Sequence, residues 1–111
     1  MRTRRVILQA CLLACTALGA STHAAEPVVD VEIRDYKFHP ETLTIKAGTV
    51  VRWTNREKRT SHSVLFPDAG GFESARMFPD ESWQRRFDRA GAFSYTCGPH
   101  PEMKGRIVVT D

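Results

Sequence analysis

The stretch Ala92-Phe93-Ser94-Tyr95-Thr96-Cys97-Gly98-Pro99-His100-Pro101-Glu102-Met103-Lys104-Gly105-Arg106-Ile107-Val108-Val109-Thr110 decides the reading of this chain. Ala92 to Cys97 and Gly105 to Thr110 are rich in aromatic and β-branched residues. Such residues suit a pleated, half-buried surface, so both ends read as strands. Gly98 to Lys104 joins them as a stiff loop, because Pro99 and Pro101 fix their own φ and limit the entropy lost on ordering. Cys97, His100 and Met103 follow one another at spacings of three and three. A thiol, an imidazole and a thioether therefore share one rigid connection between two strands.

Upstream, the pattern continues in short strands broken by turn residues. Val29, Val31 and Ile33 alternate with Asp30, Glu32 and Arg34, the period of a half-buried strand. Leu43 to Lys46 is a second strand, ended by Ala47-Gly48, and Val50 to Thr54 a third, with Trp53. Ser63 to Phe66 and Ser82 to Phe87 complete the set, the latter with Trp83, Arg85 and Phe87 on one face. Residues 55–61 and 67–79 read as loops, the second from its Pro and Gly-Gly content. No long amphipathic helix is predicted after residue 28. Seven to eight short strands imply an all-β sandwich or barrel, with function on its long loops.

The chain has 111 residues, with 16 Lys+Arg against 13 Asp+Glu. The excess is local: Arg2, Arg4 and Arg5 precede every acid, and from Ala25 onward 13 bases face 13 acids. A basic footprint must belong to the folded domain, so nothing here argues for nucleic acid. Residues 1–24 have the parts of a cleaved secretory signal peptide: a basic start, an apolar run from Val6 to Leu18, and small residues before a cut after Ala24. The apolar run falls short of the roughly 20 residues of a spanning helix. Thr3-Arg4-Arg5 resembles a twin-arginine signal, leaving Sec and twin-arginine routes open, and Leu12-Leu13-Ala14-Cys15 loosely resembles a lipid-anchor box. The expected location is the periplasm. The expected domain is 25–111, one core in size. Removing the leader removes Cys11 and Cys15 and leaves Cys97 as a single cysteine, so no internal disulfide is possible. A lone thiol in an oxidising compartment is buried, metal-bound or catalytic.

His62, at the end of the polar loop, supplies a second imidazole. His62, Cys97, His100 and Met103 together are the donor set of a blue-copper site, a trigonal His₂Cys plane with a weak axial Met. Zinc is the first alternative, but a closed structural site needs a second Cys or His pair. A catalytic Cys97–His100 pair is the second; it lacks an orienting third group and leaves Met103 unexplained.

The residues Trp53-Thr54-Asn55-Arg56-Glu57, His62 followed by Val64, and Tyr95-x-Cys97-x-Pro99-His100-Pro101-x-Met103-x-Gly105 resemble the cupredoxins, most closely the amicyanin and plastocyanin branch. Phe38-x-Pro40-x-x-Leu43 to Gly48 is similar to the early strands of that family. The resemblance covers nearly all of 28–111 and implies a Greek-key sandwich holding one type 1 copper ion. It implies His62, Cys97, His100 and Met103 as ligands, both histidines through Nδ1, with His62 buried. The Nε2 edge of His100 would reach the surface as the electron port, and His100 would leave Cu(I) at mildly acidic pH. One departure is Ser63, where many members have Asn after the first ligand His; its N–H can still reach the Cys97 sulfur, but its side chain is not expected to brace the loops.

The expected activity is single-electron transfer, Cu(II) to Cu(I), by a monomer between redox proteins such as a dehydrogenase or a cytochrome c. No catalysis by the chain itself is expected, since Met103 covers the axial side. A copper carrier or storage protein is the alternative. His39 reads as a surface residue, Met77, Trp53 and Trp83 as core. Arg52, Arg56, Lys58 and Arg59 read as a solvated face or a docking patch for an acidic partner.

Overall fold

The computed structural model describes residues 26–68 and 70–111; the signal peptide expected at 1–24, with Cys11, Cys15 and the expected cut after Ala24, lies outside them. Val28–Arg34 (β1) carries the alternation into structure: Val31 and Ile33 are buried, Asp30 and Glu32 exposed. Asp35 and Tyr36 follow, both with positive φ (53° and 54°), and Lys37–His39 (β2) returns antiparallel to β1. Two consecutive positive-φ residues make the turn whose twist matches a hairpin. Thr42–Lys46 (β3) and Thr49–Asn55 (β4) come next. Leu65–Phe66 (β5) and Phe72–Glu73 (β6) form a small hairpin, and Ser82–Phe87 (β7), Gly91–Thr96 (β8) and Lys104–Thr110 (β9) complete the fold.

The strands form two sheets, β2-β1-β4-β7 and β3-β9-β8-β5-β6, with no helix among the described residues. Both sheets are mixed: β1 runs parallel to β4, and β3 parallel to β9. Inward residues from both meet in one core, centred on fully buried Trp53. Its ring meets Tyr95 edge-on at 5.4 Å and packs against Trp83 at 5.3 Å. Burying a ring of this size is worth about 4–6 kcal/mol. Tyr95 lies opposite Gly105, where a Cβ would run into the tyrosine ring. Glycine is required there for close approach rather than for its φ.

The all-β sandwich stands, with nine strands where seven to eight are expected. β2 and β6 are the additions. β2 follows a hairpin turn without the Asn-Gly or Asp-Gly signal, and β6 is two residues long inside the predicted 67–79 loop. The predicted strand Ser63–Phe66 shrinks to Leu65–Phe66, because the N–H groups of Ser63 and Val64 go instead to Cys97 Sγ and Ser74 Oγ. Trp53 and Met77 are core, as expected, and Trp83 packs against it half-buried. The basic run is divided: Arg52 pairs with Asp30 (2.7 Å) and Arg56 with Asp80 (3.3 Å).

Candidate metal centre

Buried Asn55 ends β4 and shapes the loop that delivers His62. Its Nδ2 donates to Thr60 O (2.7 Å) and Met77 O (2.9 Å), and its Oδ1 accepts the Glu57 N–H (2.9 Å). The second of these ties in Met77, whose backbone exchanges two hydrogen bonds with His62, His62 N–H to Met77 O (3.1 Å) and Met77 N–H to His62 O (2.8 Å). Cys97 and His100 arrive on the loop after β8. That loop closes on itself: Cys97 N–H donates to Met103 O (3.1 Å) and Met103 N–H to His100 O (2.9 Å).

Three donor atoms converge. His62 Nδ1 lies 3.5 Å and His100 Nδ1 3.6 Å from Cys97 Sγ, and the two Nδ1 atoms are 3.2 Å apart. These three contacts cannot all be hydrogen bonds. A neutral imidazole nitrogen either donates or accepts, so a closed ring of three fails at one side. A cation at the centre satisfies all of them. The point equidistant from the three atoms is about 2.0 Å from each, a bond length for imidazole nitrogen on a first-row ion and slightly under that for thiolate. Donor chemistry and spacing together fit a type 1 copper site.

Met103 is buried at the end of the same loop and joins the group through its backbone. His39 lies apart, its ring nitrogen against Arg34 O at 3.1 Å. On the far side of His62, Nε2 is 3.4 Å from Glu57 Oε1, which also accepts the Tyr36 N–H at 2.7 Å. The Tyr36 ring meets His62 and His100 edge-on, at 5.6 and 5.1 Å. Burial pushes the His62 imidazolium below the usual histidine range, nearby His100 adds to this, and Glu57 opposes both. Burial also pushes the Cys97 thiol up, against the Ser63 N–H that favours the thiolate. Without metal both groups are held neutral, so a metal displaces the thiol proton.

Ser63 overturns one expectation. Its side chain does brace the loops: Ser63 Oγ accepts the Gly98 N–H at 3.0 Å and donates to Glu73 Oε1 at 2.7 Å. The short hydroxyl reaches because Gly98 has no side chain to hold it off. Asn55, Tyr36 and Glu73 are further residues that the sequence reading does not place at the site. Asn55 carries a usable signal, an Asx turn onto residue 57 at a strand end. Tyr36 and Glu73 carry none, since their contacts cross 21 and 10 residues.

A two-sheet β sandwich with a His-Cys-His triangle at its strand ends defines a class, the small blue copper domain. Comparison with known proteins makes the assignment specific. The family model described as a Cupredoxin-like domain matches residues 5–109. Amicyanin-alpha of Methylorubrum extorquens is 37% identical over 101 residues, 87% of this chain and 84% of that protein. Chloroplastic plastocyanin of Tetradesmus obliquus is 32% identical, over 84% and 72% of the two chains. A solved Cu(I) amicyanin variant superposes with TM-score 0.72 at 30% identity, covering 75% of this chain and 82% of that one. A copper-containing nitrite reductase from Thermus scotoductus superposes at 0.70 with 27% identity, over 77% of this chain but 22% of the enzyme. The chain belongs to the cupredoxin family, in its amicyanin and plastocyanin branch. That kinship supports a blue copper electron-transfer protein.

Proposed function

We propose that residues 25–111, freed from a 1–24 signal peptide, form a periplasmic type 1 copper protein that carries single electrons between larger redox proteins and converts no substrate itself. His62, Cys97, His100 and Met103 would hold the copper ion in this reading. The observation that carries it is the triangle of His62 Nδ1, His100 Nδ1 and Cys97 Sγ, with sides of 3.2–3.6 Å. Copper, when bound, supplies the one-electron couple. The chain does the rest. Cys97 yields its proton, and the Ser63 N–H at 3.4 Å steadies the sulfur. Asn55 and the closed 97–103 loop hold the donors at fixed separations, which keeps the cost of reorganisation low. His100 is half-buried, beside Tyr36 whose side is 48% exposed, so His100 is the side from which an electron leaves. Lys58 and Arg59, which make no ion pair among the described residues, precede Thr60, whose hydroxyl meets that of Tyr36 at 3.0 Å, and supply positive charge near that end for steering an acidic partner.

The test is a visible spectrum of the protein titrated with Cu(II), beside Cys97→Ser. An intense band that saturates at one equivalent, bleaches with mild reductant and is absent in the variant is the expected result. Weak absorption indifferent to Cys97 overturns it. Copper handed to a competing chelator within minutes favours the carrier reading instead.

A further inference from the structure

Three segments meet on one hydroxyl. The Ser63 N–H points at Cys97 Sγ, its oxygen accepts the Gly98 N–H, and its proton goes to Glu73 Oε1. Ser63 precedes β5, Gly98 follows Cys97, and Glu73 belongs to β6 at the sheet edge. The hydroxyl rotor has one proton to place. With Glu73 accepting it at 2.7 Å, the oxygen's lone pairs are left facing Gly98. The next residues repeat the clasp: Ser74 N–H donates to Val64 O and Val64 N–H to Ser74 Oγ, each at 2.9 Å. Glu73-Ser74 thus holds Ser63-Val64 by three bonds. Space is equally committed, because a Cβ at Gly98 would overlap the Glu73 carboxylate and come 2.7 Å from Ser63 Oγ. β6 pairs only with β5 among the described strands, and this clasp ties that edge to the site beyond their two-residue ladder.

We propose that Glu73 is a positioning residue for the Cys97 sulfur, acting through the Ser63 hydroxyl and the Gly98 amide, and that its negative charge favours the more highly charged copper state. The proposal rests on the copper reading above. Glu73 is exposed on β6 while its contact with Ser63 is part-buried, so solvent screens its Coulomb attraction for copper only in part. That attraction lowers the midpoint potential.

Two readouts separate the parts. In the metal-free protein, the Gly98 amide of Glu73→Ala exchanges with solvent roughly tenfold faster or more, the factor matching loss of a bond worth about 1.4 kcal/mol, while the Val108 amide keeps its rate. Glu73→Gln retains an acceptor oxygen and restores the Gly98 rate. In the copper-loaded protein, Glu73→Gln raises the midpoint potential with metal stoichiometry unchanged. Unchanged Gly98 exchange in Glu73→Ala overturns the positioning role, and an unchanged midpoint in Glu73→Gln overturns the charge. Should Glu73→Ala not fold, Glu73→Asp, one methylene short of Ser63, makes the same comparison. A wild-type protein with no Cys97-dependent band sinks the copper reading, yet leaves the metal-free exchange result to decide the clasp.

Discussion

Replacing Asn55 by alanine tests whether the first imidazole is delivered by one buried side chain. Asn55 is fully buried and makes three bonds, two from Nδ2 to Thr60 O and Met77 O and one at Oδ1 from the Glu57 N–H. Each is worth about 1 kcal/mol net, so the loss is about 3 kcal/mol, before any penalty for carbonyls left without a partner. In a domain of this size that lowers Tm by about 12–24 °C. Asn55→Asp does no better: it keeps the acceptor for Glu57 but turns oxygen lone pairs toward two carbonyls. Urea denaturation of the metal-free protein measures the loss directly. The loaded variant also shows a weaker or shifted thiolate band, because Thr60 and Met77 flank His62. A loss under about 1 kcal/mol, with the spectrum intact, refutes the argument and means residues 56–62 are held by their other contacts.

The metal-free protein has its stability maximum between about pH 6.5 and 8.5, the ordinary values of His and Cys. His62 is lowered in the fold, so its contribution is complete above about 6.5 and fades as pH falls through the lower folded value; Cys97 is raised, so its contribution is complete below about 8.5 and fades as pH rises through the higher one. Tm against pH shows both limbs, His62→Gln flattening the acid one and Cys97→Ala the alkaline one. Gly105→Ala drives a methyl into the Tyr95 ring and costs about 1–3 kcal/mol by overpacking; an unchanged denaturation midpoint contradicts the close approach. Stripping copper from protein equilibrated at ~1,000 times Kd removes about 4 kcal/mol of stability, seen as a lower Tm by calorimetry.

β1 was legible in the sequence because burial of one sheet face dictates residue type at every second position, and β8 and β9 because they are rich in aromatic and β-branched residues. The Cys97–Met103 loop was legible for a different reason: few chemistries need a thiol, an imidazole and a thioether so close together. What escaped was geometry made by contacts distant along the chain. β2 depends on two positive-φ residues, Asp35 and Tyr36, neither of them glycine. β6 depends on a partner, β5, of equal brevity. Ser63 was legible as a backbone donor to sulfur but not as a brace, since its hydroxyl acts only because Gly98 has no side chain and Glu73 stands beyond it. Family members that carry Asn at this place show what serine lacks. The structure shows what the chain around it supplies.

His62 sits on the crossing from one sheet to the other, between β4 of the first and β5 of the second, while Cys97 and His100 hang from the second alone. The three sides of the donor triangle are therefore a gauge of how the two layers lie on one another. Sliding one sheet across the other by a single residue, about 3.3 Å, is as large as the triangle itself. The visible band would then register alignment of the whole sandwich, and a variant that repacks the interior without unfolding would announce itself first as a change of hue.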